Sequence, residues 1–180
     1  IWLPLWLSLK LPKEITLLNS WILRLNLRST ASTQGIYYYE RNHQFSMSNE
    51  NKTLVKKHID LSWNKGKYGL LKQIVSRGFR YQTTFRDGFR DFDGYVEYVE
   101  DIRRAVPDLE VIVEEIMAED NKVITFSTFC GSFNKPLFGM PANGKIIAFS
   151  AASVWLVSHG KISEQTTMVD LAGLQKQLTA

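Results

Sequence analysis

Apolar residues recur every three to four positions up to Pro107, and beyond it four segments rich in β-branched and aromatic residues follow one another with only turn residues between them. That order restricts the chain to an α+β layering, in which helices cover one face of an antiparallel sheet. The strands are read at 109–119, 122–133, 145–158 and 161–169, a four-stranded meander. Asp120-Asn121 and His159-Gly160 have the composition of tight hairpin turns, whereas 136–144, rich in Pro, Gly and Asn, reads as a long loop at one rim of the sheet. Gly131, inside a strand pattern, is expected to mark a bulge or bend that curls the sheet around the helices. A cone built this way leaves an interior too wide for side chains to fill.

Three helices are expected ahead of the sheet. Val55, Ile59 and Trp63 line the first, with Lys56, Lys57 and Asp60 between them, and it stops at Asn64-Lys65-Gly66. Leu70, Leu71, Ile74 and Val75 mark a short second helix ending at Gly78, with 79–85 continuing as a strand or an extended link. Tyr95, Val99, Ile102 and Val106 line the third, which Pro107 ends. His58, between Lys57 and Ile59, is read as part of a solvated polar face, and His159 as a turn residue.

With 180 residues the chain has the length for one domain with a real core. Its first methionine is Met47, and the sequence from there reads as an ordinary start running into a helix. Residues 1–46 are therefore expected to be a non-native or upstream extension, and 47–180 the domain. The apolar opening IWLPLWLSL is broken by Pro4, Lys10, Pro12, Lys13 and Glu14, short of the ~20 apolar residues that a membrane span needs. Residues 1–46 carry +3 of the net charge of +4, so the domain itself is near neutral. It lacks the basic stripe that a phosphate backbone demands, and nucleic acid is not an expected partner. The single cysteine, Cys130, has no partner for an internal disulfide, which leaves a reducing cytoplasm as the expected setting. No cluster of His, Cys or carboxylates has metal-ligand spacing, and GMPANG lacks the Lys-Ser/Thr of a phosphate loop, so no metal or other cofactor is expected.

Three segments carry a resemblance: WNKGKYGLL, AVPDLEVIVEEIMAEDNKV, and GSFNKPLFGMPANGKIIAF running on through GKISEQTTMVDLAGLQKQL. Their order and spacing over residues 55–178 resemble the SnoaL-like polyketide cyclase (ester cyclase) family. The resemblance implies the cone-shaped, cystatin-like fold of the nuclear transport factor 2 superfamily, a pocket for a small hydrophobic ring compound, and pairing into a homodimer through the sheet. The named enzymes close a polyketide ring by a cofactor-free intramolecular aldol reaction. That chemistry needs titratable groups in an apolar cavity, to take a proton from carbon and return one to oxygen. The family usually places an Asp where this chain has Ser153 and a His where it has Phe129. Neither replacement relays a proton near neutral pH.

Glu164, Thr166, Met168 and Asp170 alternate onto one face of the last strand, which in the family borders the cavity and usually bears a Trp at the position of Thr166. Glu164 and Asp170 are then the carboxylates left for catalysis, although Glu164 can equally face solvent and Asp170 can equally cap a terminal helix. Trp63, Phe129, Ser153, Trp155, Thr166 and Met168 are the expected ligand-binding residues. Three functions stay open: a cyclase or isomerase with shifted catalytic groups, a non-catalytic binder of a small hydrophobic ligand, and a dimerising interaction module.

Overall fold

The computed structural model describes residues 30–179 apart from Phe138. The chain divides into two compact units, 1–42 and 43–180. Of the first, only the helical stretch from Thr30 is described, with Tyr37, Tyr38 and Tyr39 exposed on it. The apolar opening and the rest of residues 1–29 lie outside the described residues.

In the second unit the elements follow in the order α1 (Thr30–Ile59, which begins in the first unit), a π-helical turn (Asp60–Asn64), α2 (Tyr68–Leu71), β1 (Val75–Thr83), β2 (Arg86–Arg90) and α3 (Phe92–Ala105). Then come β3 (Glu110–Glu119), β4 (Lys122–Ser132), β5 (Ile146–Ser158), β6 (Lys161–Val169) and α4 (Leu171–Thr179). The α+β layering is as the sequence implies, but the sheet has six strands in the order β2-β1-β6-β5-β4-β3 rather than four. The meander β3 to β6 is antiparallel throughout, and the β1–β2 hairpin joins it through a parallel pairing of β1 with β6.

β1 takes in the end of the segment read as a second helix together with 79–83, read as a strand or link, and β2 follows it directly. That helix is a single turn, because the β-branched pair Ile74-Val75 passes into the sheet: Ile162 N–H donates to the Ile74 carbonyl at 3.0 Å and Val75 opens β1. The third helix is as expected. Asp91 caps it by accepting the Gly94 N–H at 3.0 Å, and Tyr95, Tyr98, Val99 and Ile102 turn inward. Both two-residue hairpin turns are present, with Asp120, His159 and Gly160 in the left-handed region that such turns require.

Gly131 is not a bulge. Its pairing with Ile147 lies in an unbroken β4–β5 register, and its lack of a side chain serves a close approach instead: an added Cβ would collide with Val106 Cγ1 and stand 3.2 Å from the Leu109 Cα. The end of α3 thereby packs directly on β4. The register breaks lie elsewhere. One extra residue near Glu114 interrupts β3 against β4, and one near Ser163 interrupts β6 against β5. No helix among the described residues is long and apolar enough to cross a membrane.

Candidate functional site

The face of the sheet that meets the helices is set by strict alternation along β4 and β5. Val123, Thr125, Ser127, Phe129 and Gly131 point inward on β4, and Ile147, Phe149, Ala151, Ser153, Trp155 and Val157 on β5. Because the strands are in register, these side chains form rows across the sheet. One row carries Val123, Trp155, Gln165 and Tyr81, and the next carries Thr125, Ser153, Thr167 and Thr83, four hydroxyls side by side, each at most 7% exposed. Two rows on, Phe129 stacks on Phe149 with ring centroids 5.3 Å apart. Small hydroxyl side chains thus lie between two walls of aromatic rings.

These hydroxyls are bonded to one another and to their neighbours. Ser153 Oγ and Thr167 Oγ1 are 2.9 Å apart, Gln165 Nε2–H donates to Thr167 Oγ1 at 3.0 Å, and Trp155 Nε1–H donates to Thr125 Oγ1 at 3.0 Å. Above them the π-helical turn brings three consecutive residues, Leu61, Ser62 and Trp63, out of solvent, which the face of a regular α-helix would not do. Trp63 packs edge-on against Phe129 at 5.1 Å. Tyr95 O–H donates to Ser62 Oγ at 3.0 Å, and Ser62 O–H donates to the His58 carbonyl at 2.8 Å. Burial pushes the Tyr95 and Tyr81 phenols well above their usual range, so both stay neutral donors.

Of the residues read from the sequence, Trp63, Phe129, Ser153 and Trp155 are brought to this inner face. Thr166 and Met168 are not: they point to the outer face, and Met168 is 54% exposed. The extra residue near Ser163 is the reason. It reverses the alternation between Ile162 and Gln165, both buried, so that Gln165 and Thr167 face the interior. Glu164 lies on the outer side with Thr166, 3.9 Å from Arg80. Asp170 caps α4 by accepting the Gly173 N–H at 2.9 Å, and it is exposed.

His58 is not solvated. It is fully buried, with its ring centroid 5.0 Å from that of Trp155, 5.4 Å from Tyr95 and 6.0 Å from Phe79. The signal was in the spacing: Asn51, Val55, His58 and Ser62 recur at three and four residues, and all four are buried on one stripe of the helix. Gln165 and Thr167 carried no such signal.

Residues 53–178 match the sequence profile of the SnoaL-like polyketide cyclases. The chain belongs to that family. No curated protein matches it in sequence. The SnoaL-like fold is shared with solved structures of low identity. A SnoaL-like protein from Jannaschia sp. CCS1 superposes with a TM-score of 0.68 at 19% identity, covering 74% of this chain and 94% of its own. IdmH from Streptomyces antibioticus, described as a candidate polyketide cyclase, gives 0.64 at 19% identity over 72% of this chain and 99% of its own. An epoxide hydrolase of the LEH-like type from M. tuberculosis gives 0.59 at 16% identity over 74% and 92%. Relatives on one fold thus carry different names, so the reaction has to be argued from this SnoaL-like domain's own site.

Inside that site, charge is unwelcome. Desolvation lowers the His58 pKa from 6.5 to about 3, because no carboxylate stands among the rings around it to compensate. The unfolded chain therefore takes up a proton near pH 6.5 that the folded chain refuses until about pH 3. Stability from this group is intact above pH 6.5 and is lost on acidification, by about 1.4 kcal/mol per pH unit within that window. Urea unfolding should show the wild type losing about 2 kcal/mol between pH 7 and pH 5 from this source. His58→Phe should be nearly flat over the same interval; an equally steep slope would mean that another group is responsible.

Proposed function

We infer that the domain binds a small, uncharged, largely apolar ring compound between the sheet's inner face and the helices, and that the family's usual acid–base pair does not operate in it. The observation that carries this reading is the state of Ser153 and Phe129. Both are buried on the inner face, the first in the hydroxyl row and the second stacked on Phe149 and met edge-on by Trp63. An aldol closure needs one group to remove a proton beside a carbonyl and another to protonate the new alkoxide. A serine hydrogen-bonded to a threonine and a phenylalanine in an aromatic stack do neither. The remaining carboxylates are committed elsewhere, Glu164 of β6 beside Arg80 and Asp170, just after β6, at a helix cap. What the interior retains is aromatic surface with a row of neutral hydroxyls, and that combination suits a polyketide-like ring better than a charged metabolite.

Titration of Ser153→Asp tests the reading. A carboxylate introduced at a 7% exposed position in an aromatic interior should titrate well above the ~3.9 of a free side chain, while the wild type shows no turnover of a polyketide methyl ester. A surface-like pKa for the new Asp, or wild-type turnover that Asp170→Asn abolishes, would move the chemistry to β6 and contradict this account.

A homodimer is a second element of the proposal, favoured by the outer face. Met117 pairs with Ile124, and Phe126, Ala152 and Met168 follow one another across β4, β5 and β6; the large residues among these are 37–54% exposed. A cleft of about 400 Å³ lies over the same strands, bordered by Phe126, Ala152 and Met168. Apolar surface gathered on one sheet face marks an association surface. Sedimentation should give a dimer for the wild type and a monomer for Phe126→Lys; a monomeric wild type refutes this part.

A further inference from the structure

Two side chains in the interior carry hydrogen-bonding atoms that the fold leaves unused. Neither ring nitrogen of His58 has a hydrogen-bond partner among the described residues, although the side chain is fully buried. Gln165 is 2% exposed, and while its Nε2 donates to Thr167 Oγ1, its Oε1 receives nothing. A buried polar atom without a partner costs about 1–3 kcal/mol, so such atoms in a native fold call for an explanation. The hydroxyls of Ser62, Tyr95, Thr125, Ser153 and Thr167 and the Trp155 indole are engaged, so these three atoms stand apart from their neighbours.

The exceptions border the same aromatic box. Gln165 sits in register between Tyr81 on β1 and Trp155 on β5. The His58 ring approaches that same Trp155 to 5.0 Å and Tyr95 to 5.4 Å, and Tyr95 is 4.8 Å from Tyr81. Burial holds the imidazole neutral, so it offers one N–H donor and one bare nitrogen, whereas the amide oxygen only accepts. A carbonyl or ether group could take the His58 N–H but would leave Gln165 Oε1 unmet. A carboxylate would place an unpaired charge among aromatic rings. A hydroxyl answers both sides, donating its O–H to Gln165 Oε1 while its oxygen accepts the His58 N–H.

We propose that the inner face holds a ligand chamber with His58 and Gln165 as its recognition pair, and that its ligand is an uncharged ring compound whose hydroxyl group sits between them. This rests on the reading of the inner face as a ligand site, and the test separates the two. The full chain is titrated at pH 7 with 2-naphthol and with naphthalene, by calorimetry and by tryptophan fluorescence. The wild type should bind 2-naphthol about tenfold more tightly than naphthalene, a difference of about 1.4 kcal/mol. His58→Phe and Gln165→Leu should each bring 2-naphthol down to the affinity of naphthalene and leave naphthalene within about twofold of wild type. Their melting temperatures should be unchanged or raised, since each removes an unmet polar group, whereas a purely structural role predicts a fall. Equal wild-type affinity for the two probes, or a preference that survives in both variants, overturns the pair but not the chamber. Failure of the wild type to bind either probe overturns the chamber and the pair with it. Should a variant not fold, the imidazole 15N resonances of wild-type His58 decide: movement on adding 2-naphthol supports the pair, and bound ligand without movement contradicts it.

Discussion

The two layers of this domain meet at Tyr95. Its ring, fully buried on α3, lies 4.8 Å from Tyr81 of β1, 5.4 Å from His58 of α1 and 6.4 Å from Trp63 of the π-helical turn. A phenol so deep would be costly if its hydroxyl were unmet, and Ser62 accepts it. Ser62 can do so because the widened turn carries it inward beside Trp63, and it in turn donates to the His58 carbonyl. Asn64, the last residue of the same turn, fixes it to the sheet margin by exchanging two hydrogen bonds with the Val111 backbone, at 3.1 and 2.9 Å. Tyr95 on α3, Ser62 and Asn64 on the turn and the Val111 backbone on β3 thus tie the end of α1 to the sheet.

What lies under the helices follows from register. The two-residue turns at Asp120-Asn121 and His159-Gly160 leave little freedom for slippage, so alternation carries Thr125 beside Ser153 and Ser153 beside Thr167. The result is a neutral, hydroxyl-lined strip flanked by rings. Among the described residues it has donors and acceptors but no group that titrates near neutrality, since its buried base, His58, is held uncharged by desolvation. A ligand received there, as proposed, would be discriminated by shape and by hydrogen bonding rather than by charge.

The α+β class, the meander and the inward parity of Phe129, Ser153 and Trp155 were legible because long β-branched runs and tight turns leave few alternatives. Thr166 and Met168 were misplaced because a single added residue near Ser163 inverts alternation, and nothing in KISEQTTMV distinguishes a bulge from a regular strand. β1 was partly hidden in a helix-like spacing of leucines and isoleucine that ends in β-branched residues. His58 was hidden by its lysine neighbours: its own position falls on the buried stripe, but a polar residue beside two charges reads as solvated until the ring stack around it is seen. In each case the deciding information was a contact between residues far apart in the chain, or a one-residue change of register, neither of which periodicity encodes.

The central claim is that the inner face, not the outer cleft, receives the ligand. Methyl-selective NMR on protein labelled at threonine and methionine reads both faces at once, with Thr83, Thr125 and Thr167 buried inside and Met117 and Met168 exposed outside. On titration with an uncharged aromatic ring compound, the account predicts saturable shifts of the three threonine methyls while the two methionine methyls stay in place. Shifts confined to Met117 and Met168 would assign binding to the outer sheet surface and contradict the account.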